Sequence, residues 1–245
     1  MDTNPGLVRV AVIGGGPAGL MAAETLLAGG VDVDLYDAMP TVGRKFLMAG
    51  KGGLNITHSE AVEMFFSRYG AHRPCLESAL DGFGPGALRA WVHELGVDTI
   101  VGSSGRVFPA EMKAAPLLRA WLRRLRRSGL RLHMRHRWCG WENPSPRRLT
   151  FVTPVGPVSI QADAVVLAAG GGSWPRLGSD GAWTDVLSGR GVPLAAMRPA
   201  NCGFDVEWSP HFIERFAGVP VKSVVAHARL RDGQRTRRKG EFIIT

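Results

Sequence analysis

Leu7-Val8-Arg9-Val10-Ala11-Val12-Ile13-Gly14-Gly15-Gly16-Pro17-Ala18-Gly19 runs an apolar segment, punctuated by Arg9, into a glycine turn spaced G-x-G-x-x-G. Beyond the turn, Leu20, Ala23, Glu24 and Leu27 fall at helical spacing, Gly29-Gly30 stop the helix, and Val31, Val33 and Leu35 alternate as a second strand. Strand, glycine turn, helix, strand is the order of a dinucleotide-binding Rossmann unit. Gly14 permits the tight turn, Gly16 lets backbone approach a pyrophosphate, and Gly19 lets helix and strand pack closely. The helix start offers unpaired N–H groups and a positive dipole end to the diphosphate, with Gly15, Pro17 and Ala18 completing the turn. Asp37 follows Gly19 by 18 residues, at the end of the second strand. A carboxylate there accepts hydrogen bonds from a ribose diol and repels a 2′-phosphate. FAD and NAD share this ADP moiety, so the unit alone does not separate them.

The rest of the composition agrees with a ligand-binding globular fold. Of 245 residues 45% are hydrophobic, enough for one good-sized core, or one core plus a small appendage. Thirty-two glycines, many in short runs, predict loops that press backbone against a ligand. Cys75, Cys139 and Cys202 lie far apart, without CxxC or Cys/His ligand spacing. That argues against a disulfide scaffold, a zinc site or a dithiol motif, and for a reducing cytoplasm. No apolar run reaches membrane-span length, and no basic segment precedes the first strand, so neither a membrane anchor nor a signal peptide is expected. The formal charge of +9 concentrates in two places. Leu117, Leu118, Trp121, Leu122 and Leu125 form an apolar helical stripe, with Arg119, Arg123, Arg124, Arg126 and Arg127 on the remaining face; Arg229 to Lys239 is the second cluster. The first reads as a solvated helix face, and a nucleic-acid partner is not expected from it.

Gly43-Arg44-Lys45 and then Ala49-Gly50-Lys51-Gly52-Gly53-Leu54-Asn55 make a second glycine-rich loop, where cations beside exposed amides suit a pyrophosphate and the polar edge of a flavin. Helices are expected over Ser59–Tyr69, Pro85–Leu95 and Pro116–Ser128, ended by Gly70, Gly96 and Gly129. Leu130–Trp138, Leu149–Thr153 and Val158–Ala162 read as three strands joined by Asn143-Pro144-Ser145-Pro146 and Pro154-Val155-Gly156-Pro157, a β-meander in place of a helical crossover. A buried strand is expected at Val165–Ala169, with Gly170-Gly171-Gly172 at its carboxyl end lining a cofactor crevice. From Val192 the pattern turns strand-like around Pro193, Pro199, Pro210 and Pro220. The expectation is an α/β fold with a Rossmann-like domain over residues 1–191 and the start of an inserted β-rich substrate domain over 192–245.

Val10 to Asp37 with Gly43-Arg44-Lys45-Phe46-Leu47-Met48-Ala49-Gly50-Lys51-Gly52-Gly53-Leu54-Asn55-Ile56-Thr57-His58 resembles the bacterial NAD(P)/FAD-dependent oxidoreductases known as aminoacetone oxidase-like FAD-binding flavoproteins. Gly105-Arg106-Val107-Phe108-Pro109 with Lys113-Ala114 resembles that family's GRVFP segment. Val165-Val166-Leu167-Ala168-Ala169-Gly170-Gly171, with Ser173, Trp174, Pro175, Gly178 and Gly181, resembles another block, and Gly240-Glu241-Phe242 with Thr245 a further one. The resemblance implies a glutathione-reductase-like FAD fold. It implies FAD against Gly14, Gly15, Gly16, Pro17, Ala18, Gly19, Asp37, Gly43, Arg44, Lys45, Gly50, Lys51, Gly52, Gly53, Asn55, Ala169, Gly170 and Gly171. Relatives carry an Arg-Cys pair where this chain has Gly53-Leu54, so thiol chemistry there does not transfer. They also return to the first domain with a C-terminal segment, and Thr245 interrupts a strand-like run, so a fragment or truncated product is expected.

Chemistry is carried by the flavin, and no acid or base stands out, leaving the catalytic residues unassigned. His58 reads as capping or packing, and His133 and His136, on opposite faces of a strand-like segment, argue against a shared metal. With one G-x-G-x-x-G, NAD(P)H would bind transiently. The leading expectation is an FAD-dependent oxidoreductase acting on a small organic substrate, with NAD(P)H or oxygen as redox partner. The alternatives are a flavin-binding RNA-associated protein and an NAD-binding protein without flavin.

Overall fold

In the computed structural model the described residues are 8–50, 52–143, 145, 147–198, 203, 205–229 and 233–244. Leu7, Lys51, Pro144, Pro146, Pro199, Cys202 and Thr245 from the readings above lie outside them. Strand β1 (Arg9–Ile13) feeds helix α1 (Pro17–Ala28), which returns through β2 (Asp32–Asp37). The chain continues through α2 (Arg44–Ala49), β3 (Thr57–His58), α3 (Val62–Ser67), α4 (Arg73–Gly82) and α5 (Pro85–Glu94). Next come β4 (Thr99–Val101), β5 (Arg106–Pro109) and α6 (Ala114–Arg127). After these follow β6 (Arg131–Met134), β7 (Arg137–Trp141), β8 (Arg148–Thr153), β9 (Gly156–Gln161), β10 (Ala164–Leu167) and α7 (Trp183–Ser188).

A parallel sheet in the order β10-β1-β2-β6 carries the fold, with Val12 paired to Val166 on one side and Leu35 on the other. Side chains alternate along a strand, so β1 serves two cores. Val10 and Val12 join Leu20, Ala23, Val33, Leu35, Leu118, Trp121 and Leu125 beneath α1 and α6. Ala11 and Ile13 join Tyr36, Leu149, Phe151 and Ala162 beneath the antiparallel β7-β8-β9 meander. The helical layer is tied by Glu24 of α1, which accepts from the indole N–H of Trp91 (3.2 Å) and of Trp121 (2.5 Å) and pairs with Arg124 (3.2 Å).

Several expectations are corrected. Leu130–Trp138 is two strands. β6 pairs with β2, then Arg135 takes φ +58° and the chain turns into β7, so the segment joins both sheets in succession. Consequently His133 and His136 do not sit on opposite sides: both rings pack on Tyr36, with centroids 5.7 Å apart. No group of three metal-ligating side chains occurs among the described residues. β10 is not buried; it is the edge of the described sheet, with Leu167 38% exposed. The helix expected over Ser59–Tyr69 is shorter, and Gly70 opens a 3-10 turn that leads into the unforeseen α4. The small antiparallel sheet β3-β5-β4 was also unforeseen.

The described residues from Arg198 onward form a separate compact unit. It holds helix α8 (Pro210–Phe216) and an antiparallel pair, β11 (Pro220–Arg229) and β12 (Arg235–Ile243). Pro210 opens a helix here instead of punctuating strands. It sits at the first helical position, where a missing N–H costs nothing, behind Ser209, whose hydroxyl accepts from Phe212 N–H.

Asp34, 1% exposed, is the charged centre of the meander-side core. It accepts from Arg9 (2.9 Å), Arg131 (2.9 Å) and His133 (2.6 Å). Burial alone would raise its pKa; the hydrogen bonds from His133, Arg131 and Arg9 outweigh that and hold it far below the usual carboxylate range. Tyr36 beside it is pushed up to about 12, first by burial and then by the Asp34 charge. Because the folded-state pKa of Asp34 is depressed, its stabilisation is complete above its unfolded pKa of about 4. It fades as pH falls below that toward the folded value. Asp34→Asn should cost about 2 kcal/mol at neutral pH, because the neutral amide buried at this position has one accepting oxygen where the carboxylate has two. Urea unfolding followed from pH 7 to pH 2.5 should show the gap to wild type narrowing with acid; a constant gap would exclude Asp34 as the titrating group.

Candidate cofactor cleft

Where β1 ends, Gly14 takes φ +111° and donates its N–H to Tyr36 O at 2.8 Å. A Cβ on Gly14 would collide with the Ala168 carbonyl, and one on Gly19 would collide with the carbonyl of Gly14. Both are spacing glycines, one for the turn and one for the helix packed behind it. Gly16 is different: its backbone is extended, open to any residue, and a Cβ there would meet nothing within 4 Å. Gly16 faces open space at the start of α1, where backbone N–H groups lack helical partners.

Asp37 holds the turn from beside it. Its Oδ2 accepts from Gly15 N–H at 2.6 Å and its Oδ1 from Met39 N–H at 2.7 Å. Burial raises its pKa, against the pull of those two N–H groups and the Arg44 charge. Each carboxylate oxygen keeps lone-pair capacity for a further donor. The second motif is bound to the first through Gly43, whose N–H donates to Gly15 O at 2.8 Å and whose φ of +68° lets α2 begin there. This sets Arg44 and Lys45 at the cleft. The Arg44 Nε is buried and has no hydrogen-bond partner among the described residues. Lys45 Nζ donates to Ser179 Oγ at 2.7 Å, and that hydroxyl donates to Gly171 O at 2.5 Å. Trp183 Nε1 donates to Gly170 O at 2.8 Å.

One cleft therefore gathers Gly14, Gly15, Gly16, Pro17, Asp37, Gly43, Arg44, Lys45, Ala169 and Gly170 in its lining. Ala18 and Gly19 lie within α1 behind it. Gly50, Gly52, Gly53 and Gly171 do not line it, and Asn55 lines a second cavity with Phe65, Tyr69, Phe83 and Arg106. The second glycine loop instead packs beside α6: Gly50 is pressed on Ala114, and Leu54 N–H donates to Met112 O at 3.0 Å. His58 ties β3 to the β4–β5 turn, accepting from Glu60 N–H (3.1 Å) and meeting Ser104 O (3.0 Å).

Sequence reasoning missed the far wall, formed by His136, Arg137, Trp138, Ser179, Asp180 and Trp183. Burial opposes ionisation of Asp180, yet the Ala182 N–H and the Arg137 guanidinium hold its pKa low. The left-handed glycines Gly178 (φ +90°) and Gly181 (φ +74°), flanking Ser179-Asp180, were the available signal.

An anionic diphosphate fits this lining. The space over Gly16 is free of side chains, backbone N–H groups open onto it, and the buried Arg44 Nε lacks a partner. No helix of the described residues is long and apolar enough to cross a membrane.

Residues 8–228 match the HI0933-like protein Rossmann domain. A 3-dehydro-bile acid delta(4,6)-reductase of Clostridium scindens is 29% identical over 221 residues, 89% of this chain and 52% of that protein. A ribosomal RNA dihydrouridine synthase of Haemophilus influenzae is 25% identical over 211 residues, 86% of this chain and 52% of that protein. The chain thus spans about half the length of the curated relatives it matches. Among solved structures, a 3-ketosteroid-delta4-(5alpha)-dehydrogenase from Rhodococcus jostii RHA1 shares the fold at 16% identity and TM-score 0.50, over 69% of this chain and 47% of that one.

Proposed function

The chain belongs to the HI0933-like protein Rossmann domain family, within the FAD-dependent oxidoreductase superfamily; from this premise we propose that it is the FAD-binding part of an oxidoreductase acting on a small organic substrate. The observation that carries the reading is the open, side-chain-free space over Gly16 together with the buried Arg44 Nε, which lacks a hydrogen-bond partner among the described residues. The turn Gly14 to Pro17 receives the diphosphate with Ala18 and Gly19 behind it in α1, Asp37 accepts from the adenosine ribose, and Arg44 and Lys45, positioned by Gly43, neutralise charge. Ala169, Gly170 and Gly171 border the cofactor. Gly50, Lys51, Gly52, Gly53 and Asn55 go to the flavin end by family resemblance alone, since Gly50, Gly52, Gly53 and Asn55 stand outside the lining of this cleft. FAD supplies hydride and electron transfer when bound; the protein binds, orients and shields it. NAD(P)H or oxygen serves as the second redox partner. The free cysteines Cys75 and Cys139 support a reducing, cytoplasmic setting.

A second reading, in which the substrate is a base within RNA, is favoured by one observation: the outward arginines of α6 are uncompensated by any acid among the described residues.

Titration of the purified chain with FAD, ADP and NAD, followed by flavin fluorescence and by calorimetry, tests the cofactor. FAD and ADP should bind and FAD should bind more tightly than NAD; binding of NAD with none of FAD would reject the proposal. Arg44→Gln should weaken ADP and FAD about 10- to 30-fold, the loss of one charge-assisted phosphate contact. An unchanged Kd would remove Arg44 from the site.

A further inference from the structure

Eight arginines of the first unit have a carboxylate within 4.0 Å among the described residues, Arg147 and Arg148 being two of them. Arg9 and Arg131 hold Asp34, Arg68 holds Glu60, Arg73 holds Glu63 and Glu77, and Arg137 holds Asp180. On α6, Arg124 follows the same pattern with Glu24 and Glu94. Arg119, Arg123, Arg126 and Arg127 do not. All four are exposed, and none has a hydrogen bond or ion pair among the described residues. Arg119, Arg123 and Arg127 follow one another at four-residue steps, about 6 Å apart along the helix axis. Like charges at that spacing repel and weaken a helix. Arg126 and Arg127 gain from the negative end of the helix dipole; Arg119 and Arg123, further from it, do not.

The opposite side of α6 limits what this face can meet. Leu117, Leu118, Trp121 and Leu125 are at most 5% exposed and belong to the core, so α6 has no apolar face left to sink into a lipid surface. What remains is a row of planar guanidinium forks with no lysine among them, a set suited to paired contacts with phosphate oxygens. The separate second unit repeats the feature in strand form. In its β11–β12 ribbon Arg229 lies directly opposite Arg235, both exposed. Like charges directly opposite each other destabilise a ribbon. Two unrelated elements thus each tolerate repulsion that a polyanion would relieve.

We propose that the outer face of α6 is a docking surface for the phosphate backbone of a structured RNA, contacted by Arg119, Arg123, Arg126 and Arg127. The proposal rests on the second reading of function above, and it assigns the partner's contact surface apart from the cofactor cleft. Its contacts are to phosphate, so they give affinity and a steep salt dependence; sequence choice would reside elsewhere.

The test uses the full chain, a labelled RNA hairpin of about 25 nucleotides, a DNA hairpin of the same sequence and anionic phosphatidylserine vesicles, across a salt series around 100 mM. Wild type should bind the RNA in preference to DNA and vesicles. R119Q/R123Q/R127Q should weaken RNA binding at least about 10-fold and lower the log–log salt slope by about two. The control R147Q/R148Q/R190Q, which removes equal charge elsewhere, should change the affinity less than about 3-fold. Equal binding by wild type and the α6 variant overturns the proposal. So does an equal loss in the control, tighter binding to DNA, or tighter binding to vesicles. FAD titration and thermal unfolding of the same samples should be unaltered. Loss of RNA binding by wild type with FAD retained sinks this proposal alone, whereas failure to bind FAD sinks the cofactor reading alone.

Discussion

Gly16→Val should leave the chain folded and unable to hold FAD or ADP. The substituted position has an extended backbone that valine adopts freely, and a Cβ there would have no neighbour within 4 Å. The branched group instead fills the space over the α1 N-terminus, where the diphosphate must sit within hydrogen-bond distance of backbone N–H groups. Losing those contacts should weaken ADP and FAD at least about 100-fold, roughly 2.7 kcal/mol. The thermal midpoint of the unliganded protein should stay within about 2 °C of wild type, as for a substitution that disturbs no contact. Stoichiometric flavin in the purified variant would mean that the cofactor approaches from somewhere else.

Gly19→Ala should do the reverse. Its Cβ would run into the Gly14 carbonyl, and that oxygen belongs to the backbone, so no rotamer change relieves the clash. Either α1 moves off the sheet or the turn deforms. Each route strips Leu20 and Ala23 of their packing against Val10, Val12 and Val33. The expected cost is about 3 kcal/mol or more, a fall in the thermal midpoint of roughly 6–12 °C for a chain of this size. Cofactor affinity should fall with it. A variant that unfolds with wild-type urea dependence would show that the helix is less closely seated than its carbonyl contact indicates. Side by side, the two glycine variants separate a ligand-facing position from a packing position three residues away.

The residues that made the fold legible were those whose role is set by neighbours in sequence. The glycine turn, α1 and β2 follow from local spacing, and the meander from three apolar runs between turn residues. The split at Arg135 was hidden because no glycine or proline marks it; a non-glycine residue takes the left-handed turn there, held by Arg135 N–H to Met39 O and His136 N–H to Asp37 O. α4 was hidden because its ten residues bury no side chain fully and so show no core-facing stripe. At the cleft, Gly14 to Gly19, Asp37 and Arg44-Lys45 announced themselves by composition. Ser179 did not, since its value lies in accepting from Lys45, 134 residues away, a distance no local pattern spans. The uncompensated state of α6 was likewise invisible. A list of arginines does not say which ones have found a carboxylate.

The double grip of Asp37 on Gly15 and Met39 N–H also bears on how cofactor preference changes over evolution. Many Rossmann proteins could exchange nucleotides by trading one acidic side chain for a small or basic one, a single step on an otherwise neutral path. Here the same trade would orphan two backbone donors and slacken the loop that any new nucleotide would need. With Asp37 on the adenosine ribose as proposed, a lineage carrying this arrangement would keep an unphosphorylated sugar until several changes arrive together.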